Sequence, residues 1–529
     1  MMNVTHQRTQ KFVILSILFL TTPLWLISQG IDDQINDSFM PIAEWWENLI
    51  LSEISGIPIV LVLLLAGATF FTIYFGFANI RYFPLAIQVV CGKYDDLVSV
   101  VTAQNDISDF RINEPFHGEV NHFQALVIAV SGTVGLGNIA MVAVAISIGG
   151  PGATFWMIIA GILGMSTKFV ECTLGVKYRE IDKNGIVSGG PMYYLSKGMA
   201  EKGFTKLGKV LSGLFAVLCV GASFGGGNAF QSNQAAAQII SRFGIESNSS
   251  GFIIGLIFAT IAGIIIIGGI RRIAEVTEKL VPMMAIIYVA SAIFIICMHI
   301  DKLGAALGLI ITEAFSPRAT IVGGISVVII QGFRRAAFSN EAGAGSAAIA
   351  HSAVKTKHPA SEGLVALLEP FIDTVLICTL TALVIIIFNM DGLFAYGDVF
   401  DGQVILNSTG ERIGGVNITS MAFDSAIPGF SYILVIAVVL FALSTMISWS
   451  YYGLQSWKYL FGKSKSVDLS YKIIFLVFTV LGSSITFDAV IKFSDAMILA
   501  LVFPNMIGLL FLFPVVKKEI TAYLKVIRQ

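Results

Sequence analysis

SGTVGLGNIA, residues 131–140, is the stretch that decides the fold. It lies inside an apolar run, 121–148, long enough to cross a bilayer, yet it carries Gly132, Gly135 and Gly137 beside the polar Ser131, Thr133 and Asn138. Glycine weakens a helix because it has no Cβ to restrict its backbone. In hydrocarbon every backbone N–H and C=O needs a partner, so such a break persists only where protein or a water-filled cavity receives it. Secondary transporters build substrate and ion sites at breaks of this kind near the midplane. Close helix packing through small residues would account for the glycines. It leaves the three polar side chains unexplained, and polar groups at membrane depth are costly and usually functional.

The rest of the chain sets the class. Of 529 residues 56% are hydrophobic and 13% charged, about half the ~25% charge of a soluble domain. That composition implies an all-α polytopic membrane protein. A net charge of −1 gives no reason to expect a nucleic-acid partner. The cysteines (Cys91, Cys172, Cys219, Cys297, Cys378) are scattered without a CxxC pair, so neither a disulfide framework nor a zinc site is expected. The histidines form no ligand set, and His351 and His358 are expected on a solvated basic loop. An enzyme would need a clustered nucleophile and base or a metal set at membrane depth; none is expected, and neither is a cofactor.

Apolar runs of about 20 residues fall at 12–28, 57–79, 121–148, 153–175, 207–240, 251–270, 280–299, 318–346, 362–388, 430–453, 469–488 and 493–515. With the N-terminus cytoplasmic, Lys and Arg collect inside: Arg8 and Lys11, Arg81 and Lys93, Lys177 to Lys209, Arg271 and Arg272, Lys355 and Lys357, Lys458 to Lys465, and the tail. Only Arg242, Lys302, Arg318, Arg412 and Lys492 fall outside, which favours N-in and C-in. Run 12–28 reads as a retained span or as a secretory signal; the lack of a clean A-x-A site favours the span. Residues 41–55, with Trp45 and Trp46, read as an amphipathic interfacial helix. The polar outer segment 389–429 should hold short strands or irregular structure.

A second broken helix is expected at 318–346, with Gly332, Gly343 and Gly345 and the charges Arg334, Arg335 and Glu341. It comes five spans after the first break, so the two broken helices run in opposite directions. Two five-helix units of inverted topology, each opening on a broken helix, define one large transporter class.

The motifs TVGLGNIA, IGGPGATFWM, GMSTKFVECTLGVKYRE, SGGPMYYL, FSNEAGAGSAAIAHSAVKTKHPASEGLVALLEPFIDT and ISWSYYG follow one another in order. Together they resemble the alanine/glycine–sodium symporter family over roughly 57–515. The resemblance implies a neurotransmitter-sodium-symporter-like core and sodium-driven uptake of a small neutral amino acid across the plasma membrane. The chain then divides into 1–56 (extra span or signal plus interfacial helix), 57–120 (first family helix and cytoplasmic loop), repeats at 121–299 and 300–515, and a cytoplasmic tail, 516–529. Leu136 stands where many members have Thr.

A zwitterion needs donors for its carboxylate and acceptors for its ammonium. The start of the second half-helix of 121–148 offers free N–H groups and a partial positive charge. Gly135 and Gly137 would let the ligand approach, with Thr133 beside them and the Asn138 amide on the carboxylate. An unwound section at Gln331–Phe333, including Gly332, is expected to give carbonyls to the ammonium. Gln231 would bond from the side, and Phe333 and Trp449 would close the pocket. Sodium, the coupling ion, takes oxygen ligands. By resemblance these are carbonyls of Ser131, Val134 and Phe441 and the hydroxyls of Ser444 and Thr445. Arg334, Arg335, Glu341, Lys168, Glu171 and Asp373 are expected in structural or gating ion pairs, with Arg334, Arg335 and Glu341 ending their helix toward the cytoplasm, and Tyr178–Glu180 in an inner amphipathic loop helix. Proton coupling through Glu171, Glu341 or Asp373 is the alternative. The expected partners are the amino acid, sodium and the bilayer, with no obligate protein partner evident.

Overall fold

The computed structural model describes residues 31–94 and 118–528, apart from 184, 246, 248, 319, 320, 322 and 401. The run 12–28, its choice between span and signal, and residues 95–117 of the loop lie outside the described residues.

Helix α1 (Ile31–Ile50) starts ten residues before the expected amphipathic segment. It lies along the later helix Phe487–Ala500 through Glu44–Lys492 (3.3 Å) and the edge of Phe39 on Phe493. Trp45 stays exposed. After a short hairpin come α2 (Ile59–Tyr74) and then α3 (His122–Thr133). Asn121 and Gln124 cap α3 reciprocally: the Asn121 side chain accepts from the Gln124 N–H at 2.7 Å, and the Gln124 side chain accepts from the Asn121 N–H at 3.1 Å. The chain breaks at 134–136, passes through a π-turn at Gly137–Met141, and resumes as α4 (Val142–Gly149), bent by 50°.

The long α5 (Gly152–Lys177) follows, then α6 (Thr205–Phe224), a second π-turn at Gly225–Ala229, and α7 (Phe230–Phe243). Next come α8 (Ser250–Ile266), α9 (Gly269–Met298) and α10 (Ile300–Phe315). The second broken helix is α11 (Gly324–Asn340), an unwound stretch at 341–346, and α12 (Ala347–His351). A kinked span combines α13 (Pro359–Ala366), a π-segment at Phe371–Cys378 and α14 (Thr379–Phe388). Segment 389–429 holds a three-stranded antiparallel sheet, Phe394–Phe400, Gln403–Leu406 and Arg412–Gly414, as expected, and also α15 (Val416–Ala426), which was not. Four helices close the chain: α16 (Phe430–Phe461), α17 (Lys465–Ser484), α18 (Phe487–Ala500) and α19 (Val502–Val526).

Each of the eleven apolar runs that reach into the described residues contains a helix. Among the described residues seven helices are long and apolar enough to span a membrane, and the bent pair α3–α4 makes an eighth. The exposure pattern agrees with that class. On α8 the exposed large apolar side chains are Ile253, Ile257, Ile261 and Ile264, a stripe at helical spacing that water would not tolerate and lipid would. The α3–α4 pair differs: from Ala125 to Ser147 every residue is buried. The break therefore sits in the middle of the bundle, walled by protein.

Three local expectations are corrected. Gln331–Phe333 lies inside the continuous helix α11, and the unwinding falls ten residues later, at Glu341, Gly343 and Gly345, all with positive φ. Tyr178 is the end of α5, Arg179 reaches three carbonyls (Ser352, Val354 and Thr356), and Glu180 opens a short strand paired with Val187–Ser188. No amphipathic loop helix forms there. His351 is not solvated: it ends α12 fully buried and bonds Glu362 at 2.5 Å, while His358 is only partly buried at the start of α13.

Candidate functional site

The first break brings the candidate sodium ligands together. The Ser131 hydroxyl donates to the carbonyl of Ser444 at 2.9 Å, and the Thr445 hydroxyl donates back to the carbonyl of Ser131 at 3.0 Å. The Ser444 hydroxyl donates to the carbonyl of Phe441 at 2.9 Å. Ser131, Val134, Phe441, Ser444 and Thr445 are all buried. Val134 lies at the break itself, its N–H turned back to Val130. A lone Ser or Thr in a membrane helix ordinarily bonds its own preceding turn. Ser444 does so, whereas Thr445 crosses to another helix. The result is a compact set of carbonyl and hydroxyl oxygens, the donor type a hard cation takes.

Among the candidate substrate residues, Asn138 and Gln231 converge on consecutive N–H groups. The Asn138 side-chain oxygen accepts from the Gly135 N–H and the Gln231 side-chain oxygen from the Leu136 N–H, each at 3.0 Å. These are the donors that unwinding frees, and the two side-chain amides satisfy them. Gln231 is secured by donating to the Gly226 carbonyl at 2.9 Å, from the π-turn of its own span. Close approach explains Gly135: a Cβ there would lie 2.3 Å from Thr445 Oγ1.

The other substrate candidates separate. Trp449 donates its indole N–H to Glu341 at 3.0 Å, and the Gly227 backbone packs on its ring, so it links the 225–229 turn to the second break. Thr133 is back-bonded to the carbonyls of Ala129 and Val130. Gly332 packs on Trp156 and Ala153 of α5, and the Phe333 ring lies 6.2 Å from the Trp156 ring. Another aromatic at the first break is Phe338, whose ring lies against Gly137 and meets Phe230 edge-on at 5.1 Å. Sequence reading missed it because Phe333 and Phe338 share a helix, and only its rotation about its axis decides which one faces the break.

The buried charges expected in ion pairs divide into paired and unpaired groups. Lys168 pairs with Glu369 at 3.0 Å, while Glu171 accepts from the Gly343 N–H and from Asn505 at the second break. Arg334 bridges Glu47 and Asp495, and Arg335 also meets Asp495 at 2.8 Å. Through Glu47, Arg334 joins α11 to the N-terminal helix α1. Glu341 and Asp373 have hydrogen-bond partners but no ion pair among the described residues. The run Gly221–Gly225, GASFG, matches a GxSxG nucleophile pattern. Its Ser223 lies within α6 and bonds Val220 and Tyr471, with no strand-to-helix elbow to present it.

Helix α15 of segment 389–429 reaches this region too. Thr419 donates to the carbonyl of Ile139 at 2.9 Å, and the Val416 N–H donates to Gln234 on α7 at 3.0 Å. No signal within 389–429 foretold those contacts.

Comparison with known proteins gives the following. The family model described as the sodium:alanine symporter family matches residues 42–529. The chain is 38% identical to the sodium/alanine symporter AgcS of Methanococcus maripaludis, over 88% of this chain and 94% of that one. It is 32% identical to a Bacillus subtilis protein named a probable sodium/glutamine symporter, GlnT, over 88% of this chain and 87% of the relative. Among solved structures, MhsT in complex with L-phenylalanine overlays at TM-score 0.49 and 16% identity, covering 75% of this chain and 99% of that one. No site residue is carried across from that overlay.

Proposed function

Starting from the sodium:alanine symporter family, to which this chain belongs, we propose that it moves a small neutral amino acid, alanine or glycine, into the cell together with sodium by alternating access. One arrangement carries the reading. At a fully buried helix break, two consecutive N–H groups, Gly135 and Leu136, are held by side-chain amides, and an oxygen cluster from Ser131, Phe441, Ser444 and Thr445 lies on the same break. A substrate carboxylate can take the place of the amide oxygens on those N–H groups, where the helix N-terminus favours negative charge. Sodium in the oxygen cluster would hold the break in its binding-competent form, which couples the two cargoes. No further cofactor is required by this scheme.

The lysine and arginine distribution supports insertion in the plasma membrane with both termini cytoplasmic. The two broken helices, five spans apart, support an inverted five-plus-five repeat as the rocking framework. The experiment is uptake of labelled alanine into proteoliposomes, with and without an inward sodium gradient at constant pH, in competition with glycine, serine, D-alanine and glutamine. Sodium-dependent concentrative uptake is expected. Uptake driven by a proton gradient without sodium would overturn the coupling assignment in favour of a proton-coupled carrier.

A further inference from the structure

Asp373 lies in the π-segment Phe371–Cys378, fully buried, and its side-chain oxygens meet only neutral groups. Asn138 Nδ2 donates to Oδ1 at 2.6 Å; the hydroxyls of Ser339 and Thr374 donate to Oδ2 at 2.8 and 2.7 Å. The Cys378 thiol, 3.3 Å from the Asn138 amide, completes the surroundings. Other buried acids are compensated. Glu369 has Lys168, Asp495 has two arginines, Glu313 has Arg318, and Glu362 has His351 and His122. Glu171 and Glu341 are tied to the second break and lie in the field of Lys168. Asp373 alone of these acids contacts the first break.

A buried carboxylate without a countercharge is expensive, and either a proton or an arriving cation relieves that cost. The position fits an arriving cargo. One side chain, Asn138, joins the carboxylate to the Gly135 N–H, so an anion-binding donor and an anionic acceptor share a bridge. The carboxylate and two hydroxyls supply hard oxygen, suited to sodium and equally to the N–H donors of an ammonium, while the Asn138 amide faces them with its N–H and keeps its oxygen on Gly135. The helix Gln331–Phe333, expected to meet that ammonium, is continuous and leaves no free carbonyls for it. A π-segment at this point is also the kind of helix irregularity that recurs at functional sites.

We propose that Asp373, with Ser339 and Thr374, is the anionic side of a second cation site at the first break. It takes a compact monovalent cation: a sodium ion additional to the one at Ser131 and Thr445, or the ammonium of the bound amino acid. On arrival the two hydroxyls, now donating to the carboxylate, rotate to offer lone pairs. This assignment rests on the symport reading above.

The test is binding of labelled alanine to purified full-length protein across a sodium titration, comparing wild type with Asp373→Asn. The expected result is an alanine affinity lowered about tenfold or more, the size of a lost hydrogen bond to a charged group. If the cation is sodium, the Hill coefficient for sodium activation falls from about two to about one, since it is bounded by the number of coupled sites. If it is the ammonium, that coefficient is unchanged and Asp373→Asn instead loses the preference for alanine over propionate, which lacks the ammonium. Wild-type affinity, sodium dependence and selectivity together in Asp373→Asn overturn the proposal and make Asp373 a neutral brace for Asn138. Should that variant fail to fold, Ser339→Ala and Thr374→Val keep the carboxylate and decide it. Lowered affinity in both supports the site, and unchanged sodium and alanine binding in both overturns it. Failure of the wild type to bind alanine in sodium would sink the symport reading itself, an outcome distinct from loss of the Asp373 assignment.

Discussion

The Thr445 hydroxyl donates to the main-chain carbonyl of Ser131 at 3.0 Å, tying α16 to the last turn of α3 just before the first break. The adjacent Ser444 instead turns its hydroxyl to Phe441 in its own helix. Neighbours in sequence thus hold unequal posts, and the sodium response of their variants should be unequal. Thr445→Ala is expected to raise the sodium concentration for half-maximal alanine transport about tenfold or more, and Ser444→Ala by less, as losing a charged-group contact outweighs losing a back-bond. Initial uptake rates across a sodium titration check this. Equal, wild-type sodium dependence in both variants would return the pair to ordinary helix packing.

Asn138 holds the Gly135 N–H with its oxygen and Asp373 with its nitrogen. Truncation removes both bonds at a buried site. Asn138→Ala is expected to leave a folded protein that binds alanine about 1–3 kcal/mol more weakly, the range for a hydrogen bond involving charge. Calorimetry on the purified variant gives the number, and an unchanged affinity would remove Asn138 from the site.

Gly135 faces Thr445 so closely that a Cβ would lie 2.3 Å from its hydroxyl. Gly135→Ala must displace either α16 or the break. The expected outcome is transport lost, with thermal stability lowered by about 1–3 kcal/mol, as for overpacking of a filled core. Proteoliposome uptake and a melting curve on the same preparation check it. Wild-type transport in this variant would show that the break has slack the structure does not.

Phe338, rather than Phe333, lies against Gly137 at the break. Phe338→Ala is therefore expected to admit valine and leucine as competitors of alanine uptake, with discrimination against them reduced by about 1–3 kcal/mol. Phe333→Ala should lower stability through its contact with Trp156 and leave the ranking alone. Competition assays on both variants decide which ring walls the pocket; the reverse pattern would restore Phe333.

Arg179 reaches the carbonyls of Ser352, Val354 and Thr356, fastening the chain that follows the second break. A lysine keeps the charge but not the guanidinium fork. Arg179→Lys is expected to lower the melting temperature and transport rate while leaving alanine affinity within about twofold, since the site itself is untouched. An unchanged melting curve would count against that anchoring role.

The sequence by itself determined the membrane class, the helical runs, the two glycine-rich breaks and the family. Those signals are local: hydrocarbon demands about 20 apolar residues per crossing, and a break there must carry glycine and polar residues to exist at all. The pairing of Ser131 with Ser444 and Thr445 was also legible, through the resemblance. Tertiary structure decided which face of each helix meets the break. It put Phe338 at Gly137 rather than Phe333, Lys168 on Glu369, His351 in the interior, and the second unwinding at Glu341 rather than Gln331. Where a helix is walled by protein on every side, as α11 is over 331–340, no solvent-facing side records the rotation about its own axis. That angle is fixed only when neighbouring helices pack, and with it which side chains reach the cargo.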